Sequence, residues 1–274
     1  MVTEEQIRFF RENGYLQCGQ VLTPGQTRAL RARLDDVLEG RSRAEPETKR
    51  NMLGDGSERV VVQVVNIWEA DDRFHEHIFN PTICEIAAAL MGTDVVRVWH
   101  DQVQYKPPRV GGPTTWHQDH PYWPIIQPAD LVSAWVAIED ATVENGCMRM
   151  VPRSHLWGPH KGGTIGTDPE TFAPLPDMSL VPAGERIEIV PCEVRAGEVM
   201  FHHCLTWHGS PPNLSERGRP AIAVHYMPGW TRYEPGQAGH IVERRVTVAP
   251  GEVLQGEYFP TVWDRGPLRV PVLA

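Results

Sequence analysis

Lysine is scarce in this chain, and long hydrophobic runs are absent. Only Lys49, Lys106 and Lys161 join the arginines among 26 basic residues, against 35 acidic ones, so the formal net charge is −9. A negative chain is a poor partner for nucleic acid or for an anionic membrane surface. The sequence shows no apolar stretch of membrane-spanning length and no signal-peptide pattern after Met1, so we expect a cytoplasmic protein.

Cysteine is also sparse and unpatterned. The five cysteines are odd in number and form no C-x-x-C pair, and the chain contains neither an H-E-x-x-H motif nor an internal repeat. This spacing indicates reduced thiols rather than a disulfide framework. A length of 274 residues, with 41% hydrophobic and 22% charged residues, suits one soluble globular domain with a sizeable core.

Helix signals are concentrated in the first third of the chain. Capping residues and apolar periodicity predict helices over 3–14, 23–40 and 80–92. Short β-branched or alternating segments predict strands over 15–18, 60–67, 95–106, 131–139, 147–152, 187–194, 198–204 and 221–227. Asn145-Gly146 predicts a hairpin turn. The aperiodic segment 41–59 predicts an exposed loop or a lid, and 156–186 a structureless insertion.

A possible metal site lies in the segment Trp116-His117-Gln118-Asp119, which is rich in strand formers. Residues i and i+2 of a strand share a face, so His117 and Asp119 can converge while Gln118 turns away. His208 is the candidate for a third ligand. Two histidines and one carboxylate leave one face of an octahedron open, which is the ligand set of non-haem Fe(II) oxygenases.

Arg219 adds a second signal, which matters because a His-x-Asp pair arises easily by chance among 12 histidines. It follows His208 by eleven residues. An oxygenase of this kind needs a two-electron co-substrate, and 2-oxoglutarate carries a far carboxylate that a guanidinium binds in a bidentate fork.

These motifs together resemble the signature of the phytanoyl-CoA dioxygenase family of Fe(II)/2-oxoglutarate oxygenases. The resemblance rests on His117-x-Asp119, on the segment from His208-Gly209-Ser210 to Asn213, and on Arg219. It is supported by flanking segments, which are Asp101-Gln102, Tyr105-Lys106-Pro107-Pro108, Glu144-Asn145-Gly146-Cys147 and Val151-Pro152-Arg153-Ser154-His155. The similar region runs over about 95–228.

The resemblance implies roles for further residues. Ser210 and Arg219 would bind the far carboxylate of 2-oxoglutarate, and Trp135 would lie against this co-substrate. Gln102 and Gln104, on one face of the predicted strand 95–106, would meet oxygens of the co-substrate or the substrate. The insertion 156–186 would shape the substrate mouth.

The expected fold is mainly β with N-terminal helices. Short strands punctuated by 25 prolines and 24 glycines, with ligands on two strands, predict a double-stranded β-helix, a jelly-roll or cupin-like barrel supported by helices. We expect one domain over 1–274, with helical support in 1–94, the catalytic region in 95–228 and a tail in 229–274.

The expected activity is hydroxylation or desaturation of an unactivated C–H bond in a small-molecule metabolite. It would use Fe(II), 2-oxoglutarate and O2, with ascorbate in vitro, and would release succinate and CO2. In the family, related halogenases have a small residue at the position of Asp119, so the carboxylate here favours hydroxylation or desaturation.

Three alternatives remain open at this level. His203 could replace His208 as a ligand, whereas His120 and His202 are expected to pack or to support the ligands. The barrel could be a zinc hydrolase or isomerase, since two histidines and an aspartate also suit zinc. It could also be a non-catalytic barrel that binds a small molecule.

Overall fold

The computed structural model describes residues 2–53, 58–236 and 239–265, and this part of the chain is mainly β with antiparallel sheets. The helices are α1 (Glu4–Asn13), α2 (Pro24–Leu38), α3 (Ile67–Ala70), α4 (Asp72–Ile78) and α5 (Pro81–Met91). The first strands are β1 (Tyr15–Gln20), β2 (Thr48–Asn51), β3 (Val62–Val65), β4 (Val95–Lys106), β5 (Thr114–His117), β6 (Ile126–Gln127), β7 (Val132–Ala137) and β8 (Met148–Met150). The remaining strands are β9 (Gly166–Thr167), β10 (Pro174–Leu175), β11 (Val190–Cys192), β12 (Glu198–His203), β13 (His208–Ser210), β14 (Arg219–Pro228), β15 (Arg232–Tyr233) and β16 (Thr261–Asp264).

The three predicted helices are present as α1, α2 and α5. Thr3 and Thr23 each form a capping box with a glutamine three residues later, which satisfies backbone donors in the first turn. Gly14 ends α1 at a φ of 78°, a left-handed conformation that favours glycine. Within the described ranges, none of the helices combines the length and the apolar character needed to cross a membrane.

The large sheet has the strand order β1-β12-β7-β14-β4-β3-β2, and β16 also pairs with β4. One face of this sheet is apolar and packs against the helices. Val136, Val224 and Val103 from the sheet share a buried cluster with Leu34 of α2 and Phe74 of α4. The N-terminal helices therefore cover the outer face of the sheet and leave its other face for the site.

A bulge in β4 assigns its side chains to the two faces. His225 of β14 pairs with His100, but the next residue pairs with Val98, so Trp99 is an extra residue in the ladder. Val98 consequently faces the helices, whereas His100 and Gln102 face away from them. The predicted shared face of the even positions from 100 onward is confirmed.

A smaller sheet, with the order β11-β8-β13-β5, lies against the inner face of the large one. Trp135 and Met200 of the large sheet and Met148 and Met150 of the small sheet share one buried cluster. The two sheets therefore face each other across an apolar layer, and the strands that carry the candidate ligands belong to the small sheet.

Two segments predicted as loops contain strands. The segment 41–59 includes β2, which extends the large sheet next to β3, while its residues 54–57 lie outside the described residues. The insertion 156–186 contains the β9–β10 pair, and its Ile165 packs on Trp116 and Trp207. Both predictions of irregular structure were wrong in part, because pairing with distant strands and burial against aromatic rings leave no local periodicity.

Three further predictions need correction. Asn145-Gly146 is a turn, but the strands on either side, β7 and β8, lie in different sheets and form no hairpin. Ile67 belongs to α3 rather than to a strand over 60–67, and α4 was not predicted. The strand 221–227 is not the last in the chain, since β16 adds to the edge of β4.

His77 makes the fold sensitive to acid. Both of its ring nitrogens are buried without a hydrogen-bond partner among the described residues, and burial lowers its pKa to about 4. The unfolded chain binds more protons than the folded one below pH 6.5, so stability falls as the pH falls toward 4. Between pH 7.5 and 4.5, we expect the unfolding free energy of the wild type to fall by about 2–3 kcal/mol more than that of His77→Leu. Urea unfolding of both proteins at the two pH values measures it, and equal losses would contradict it.

Candidate metal centre

The two candidate histidines are direct neighbours across two strands. His117 ends β5 and pairs in register with His208 of β13, with ring centroids 4.1 Å apart. Asp119 completes the group: its Oδ1 lies 3.5 Å from Nε2 of each histidine. One ligand atom from each of the three residues fits within 4.8 Å of the others.

Asp119 reaches the group by a different geometry from the one predicted. The strand ends at His117, and the backbone of Asp119 is helical, with φ −73° and ψ −50°, at the start of a short 3-10 turn. Its N–H donates to the carbonyl of Cys204. The prediction of convergence through strand pleating was therefore wrong, because a turn rather than alternation brings the carboxylate back. Gln118 does turn away and donates to the carbonyls of Gly158 and Leu205.

Backbone carbonyls determine the tautomers of both histidines. Nδ1 of His117 lies 2.8 Å from the carbonyl oxygen of Thr115, and Nδ1 of His208 lies 2.9 Å from that of Thr206. A carbonyl oxygen only accepts, so each Nδ1 carries the proton and each Nε2 presents a lone pair to the group. Burial, with His117 beside it, holds the pKa of His208 well below its usual range, so this imidazole is neutral.

The second oxygen of Asp119 is held by the protein. Oδ2 accepts from the hydroxyl of Ser133 at 3.1 Å and from Nε2 of His202 at 3.0 Å. Burial opposes ionisation, but His208, His117 and His202 outweigh it and keep the pKa of Asp119 well below its usual range. The residue is therefore a carboxylate that offers one oxygen to the histidine pair.

Two cations lie buried next to the group. Arg219 and Lys106 are direct partners on β14 and β4, and both are fully buried. The Lys106 ammonium donates to the hydroxyl of Ser210 at 2.6 Å and to the carbonyls of Ser210 and Pro211. Burial, with Arg219 beside it, lowers the pKa of Lys106 well below its usual range.

Arg219 itself has no hydrogen-bond partner for any of its three nitrogens among the described residues. Its guanidinium lies over the ring of Trp135 at 5.3 Å, and burial lowers its pKa to about 10, so it remains charged at neutral pH. A buried charged guanidinium without a hydrogen-bonded anion is costly. Its donors therefore fit an anionic ligand.

Apart from Arg219, which is fully buried and lies over the ring of Trp135, the predicted site residues line one cleft. Gln102, Gln104, Trp135 and Ser210 line it together with His117, Asp119 and His208. The cleft continues into a cavity of about 330 Å³. The walls of this cavity include Arg50, Met52, Gln63, Val65, His100, Gln102, Gln104, Thr114, Tyr122, Trp123, His240 and Ile241.

His203, the alternative ligand, and His120, which was expected to pack or to support the ligands, lie outside the group. Nδ1 of His203 accepts from the backbone N–H of Leu205, and the centroid of its ring lies 5.3 Å from that of His155. His120 is buried with its Nε2 on the carbonyl of Ile126. Neither contributes to the described group that could hold a metal, whereas His202 contacts Asp119.

No motif identifies Ser133 or His225, which also belong to the site. Nδ1 of His225 lies 2.7 Å from the hydroxyl of Ser133, and the two residues are register partners on β14 and β7. The signal in the sequence is parity alone: Ser133 shares a face with Trp135, and His225 shares one with Arg219.

Comparison with known proteins shows the family of the chain. Residues 10–221 match the model of the phytanoyl-CoA dioxygenase family. The chain belongs to this family. Its matched region includes His117, Asp119, His208 and Arg219.

This phytanoyl-CoA dioxygenase family member is similar to curated proteins along most of its length. Phytanoyl-CoA dioxygenase 1 of Oryza sativa subsp. japonica is 26% identical over 256 residues, which cover 82% of this chain and 89% of the rice protein. The peroxisomal phytanoyl-CoA dioxygenase of Mus musculus is 26% identical over 246 residues, covering 82% of this chain and 68% of the mouse protein.

Solved structures are similar over nearly the whole chain. The non-haem alpha-ketoglutarate-dependent carbocyclase SnoK from nogalamycin biosynthesis is 31% identical, with a TM-score of 0.78 over 95% of this chain and 96% of SnoK. The epimerase SnoN, solved with Fe3+, alpha-ketoglutarate and nogalamycin RO, is 25% identical, with a TM-score of 0.76 over 94% of this chain and 98% of SnoN. Proteins similar in structure to this chain are therefore named for different activities, a carbocyclase and an epimerase.

Proposed function

We propose that this protein is an Fe(II)/2-oxoglutarate-dependent oxygenase in which His117, Asp119 and His208 hold the metal. The observation that carries the proposal is the buried guanidinium of Arg219, which has no hydrogen-bond partner among the described residues and lies beside a two-histidine, one-carboxylate group. The two imidazole nitrogens and the ionised carboxylate suit a divalent first-row metal, and this ligand set is typical of non-haem Fe(II) oxygenases.

The cations of the site complement a dicarboxylate co-substrate. Arg219 would hold the far carboxylate of 2-oxoglutarate, with the hydroxyl of Ser210 and the ammonium of Lys106 beside it. Trp135 would cover the co-substrate, since its ring already lies against the guanidinium. Fe(II), 2-oxoglutarate and O2, when bound, would supply the oxidative chemistry, with succinate and CO2 as products. The chain would bind and orient the co-substrate and the substrate and exclude water.

The order of the strands supports a double-stranded β-helix. Eight strands divide into two facing sets of four, β12-β7-β14-β4 and β11-β8-β13-β5. All eight lie within 95–228, which supports this region as the catalytic unit, with 1–94 as helical support and 229–274 as a tail within one domain. Residues 237–238 and 266–274 of the tail lie outside the described residues.

The carboxylate of Asp119 favours hydroxylation or desaturation as the outcome. Both of its oxygens are committed, Oδ1 toward the histidines and Oδ2 to Ser133 and His202. The side chain therefore occupies the position that a halide would need. Carbocyclisation and epimerisation are the activities named for the similar SnoK and SnoN.

Succinate formation tests the proposed function. The purified protein with Fe(II), ascorbate and 2-oxoglutarate is expected to release succinate, slowly alone and faster with a substrate. Turnover of a substrate with zinc and without succinate would instead indicate a hydrolase or isomerase. Ligand binding in the cavity without any turnover would indicate a non-catalytic barrel.

The substrate is proposed to be a free small molecule rather than a CoA thioester. Arg50 is the single Lys or Arg among the described residues that line the cavity, and its Nε donates to Gln63. The other basic residues of 41–50 are used elsewhere: Arg41 pairs with Asp36, Arg43 with Asp72, and Lys49 donates to carbonyls of α2. Coenzyme A carries several phosphate charges, which such a mouth does not neutralise.

The walls of the cavity instead suit a neutral, partly apolar metabolite. Tyr122, Trp123, Met52 and Ile241 supply apolar surface, and uncharged amides and hydroxyls supply a few hydrogen bonds. Trp116, which precedes His117, is fully buried in a cluster with Ile165 of the insertion and Trp207, and does not line the cavity.

Substrate-coupled succinate formation is expected with free small molecules and not with acyl-CoA esters. The comparison uses acyl-CoA esters, the corresponding free acids and small polycyclic natural products at equal concentrations. Uncoupled succinate release without substrate is the baseline for each. Stimulation by CoA esters alone would contradict the assignment while leaving the oxygenase chemistry intact.

A further inference from the structure

A line of hydrogen bonds begins at the exposed Arg50 on β2 and runs along the inner face of the large sheet. Nε of Arg50 donates to Oε1 of Gln63 at 3.0 Å. Nε2 of Gln63 donates to Oε1 of Gln102 at 2.6 Å, and Nε2 of Gln102 lies 3.0 Å from Nε2 of His225. One guanidinium and two side-chain amides thus lead from the cavity mouth to a buried imidazole.

The line continues from His225 to the metal group. Nδ1 of His225 lies 2.7 Å from the hydroxyl of Ser133, and that hydroxyl donates to Oδ2 of Asp119 at 3.1 Å. The contributing strands are β2, β3, β4, β14 and β7, which are consecutive neighbours in the sheet. One side chain from each strand therefore spans the distance from the cavity mouth to the carboxylate.

The two ends of the line determine the direction of every bond. Arginine can only donate, so Gln63 must accept with Oε1 and donate with Nε2. Gln102 in turn accepts from Gln63 and donates to His225, whose Nε2 must then be the accepting nitrogen. Nδ1 of His225 carries the proton and donates to Ser133, and an ionised carboxylate only accepts. All five bonds therefore point toward Asp119, and no orientation is left free.

Gln104 shows that this arrangement is not general to the cavity wall. It is the next residue on the same face of β4 and lines the same cleft and cavity. Its side chain makes no hydrogen bond to any of the described residues. Gln102 and Gln104 therefore line the same cleft, but hydrogen bonds connect Gln102, and not Gln104, to Asp119.

We propose that a positioning relay sets the orientation of the Asp119 carboxylate, and this proposal rests on the proposed metal site. The relay consists of Arg50, Gln63, Gln102, His225 and Ser133. The relay turns Oδ2 toward Ser133 and thereby presents Oδ1 to the histidine pair. Because Arg50, Gln63 and Gln102 also line the cavity, a substrate that contacts this wall acts on the metal ligand through the relay.

Cobalt binding tests the relay without turnover. Co(II) alone is titrated anaerobically into the whole protein, without 2-oxoglutarate or substrate, and its affinity and visible d–d spectrum are recorded. Ser133→Ala is expected to weaken Co(II) binding roughly 10-fold and to alter the spectrum. Gln102→Leu is expected to weaken it by a smaller factor with a similar spectral change, whereas Gln104→Leu leaves both the Co(II) affinity and the spectrum as in the wild type.

Combination of the variants separates a relay from independent contacts. If both residues act through one line, Gln102→Leu combined with Ser133→Ala binds Co(II) about as weakly as Ser133→Ala alone. Arg50→Met changes an exposed side chain, so the variant is expected to fold as the wild type does. It is expected to weaken Co(II) binding slightly in the wild type and not at all in the Gln102→Leu background.

Each contrary outcome has one meaning. If the wild-type protein binds no Co(II), the proposed metal site fails and the relay fails with it. The wild type could bind Co(II) while the losses of affinity in Gln102→Leu and Ser133→Ala multiply in the double variant, or while Gln102→Leu behaves like Gln104→Leu. In either case the metal site stands and the relay is wrong.

Discussion

Replacement of His208 by alanine is expected to abolish substrate-coupled succinate formation and to weaken Fe(II) binding by more than about 100-fold, since the loss of residues that only support metal ligands costs 10–100-fold. The same result is expected for His117→Ala and Asp119→Ala. Each change removes one of three ligand atoms that lie within 4.8 Å of one another, and Asp119→Ala also removes the only negative charge of the group. Anaerobic Fe(II) titration and succinate measurement test all three variants.

His203→Ala is the matched control for His208→Ala. His203 is a half-buried histidine at the end of β12, in the other sheet, and its ring lies beside that of His155 rather than in the metal group. We expect its Fe(II) affinity and succinate formation to match those of the wild type. Retained activity in His208→Ala together with lost activity in His203→Ala would reassign the third ligand.

Arg219→Leu is expected to raise the apparent KM for 2-oxoglutarate by more than about 100-fold, which corresponds to roughly 3 kcal/mol for a buried carboxylate that loses its partner. The Fe(II) affinity should change little, because Arg219 contacts Trp135 and Lys106 rather than the ligands. Succinate formation measured across 2-oxoglutarate concentrations, with Fe(II) saturating, gives the KM.

Two further variants locate the charge that binds the co-substrate. Arg217→Leu removes an exposed cation two residues away and is expected to leave the KM for 2-oxoglutarate as in the wild type. Lys106→Met removes the other buried cation and should raise the KM less than Arg219→Leu, since its ammonium is already occupied by Ser210 and Pro211. An unaltered KM in Arg219→Leu with a large rise in Lys106→Met would exchange the two roles.

Local signals account for the parts of the fold that sequence predicts well. The helices α1, α2 and α5 begin at residues that cap their own first turns, and glycine in a left-handed conformation ends α1 and α5. These preferences act within a few residues of chain and need no tertiary partner. The weakly periodic segments 41–59 and 156–186 have no such signals, so β2, β9 and β10 could not be predicted.

The candidate ligands were predictable for a related reason. His117 and Asp119 are close in the chain, and the spacing between His208 and Arg219 is a short pattern that belongs to a known family. The choice of His208 over His203 followed from that pattern, and the structure brings His208, not His203, beside His117.

The sequence by itself therefore determined the helices α1, α2 and α5, the mainly β class, the family and the candidate ligands, because each leaves a short pattern of residues in the chain. Only the tertiary structure decided that Lys106 and Arg219 are buried side by side, that a turn returns Asp119 to the histidines, and that Ser133 and His225 connect it to the cavity wall. The Lys106–Arg219 and Ser133–His225 contacts join strands about a hundred residues apart in the chain. Their register is established by the pairing of whole strands and by one bulge at Trp99, which no local pattern encodes.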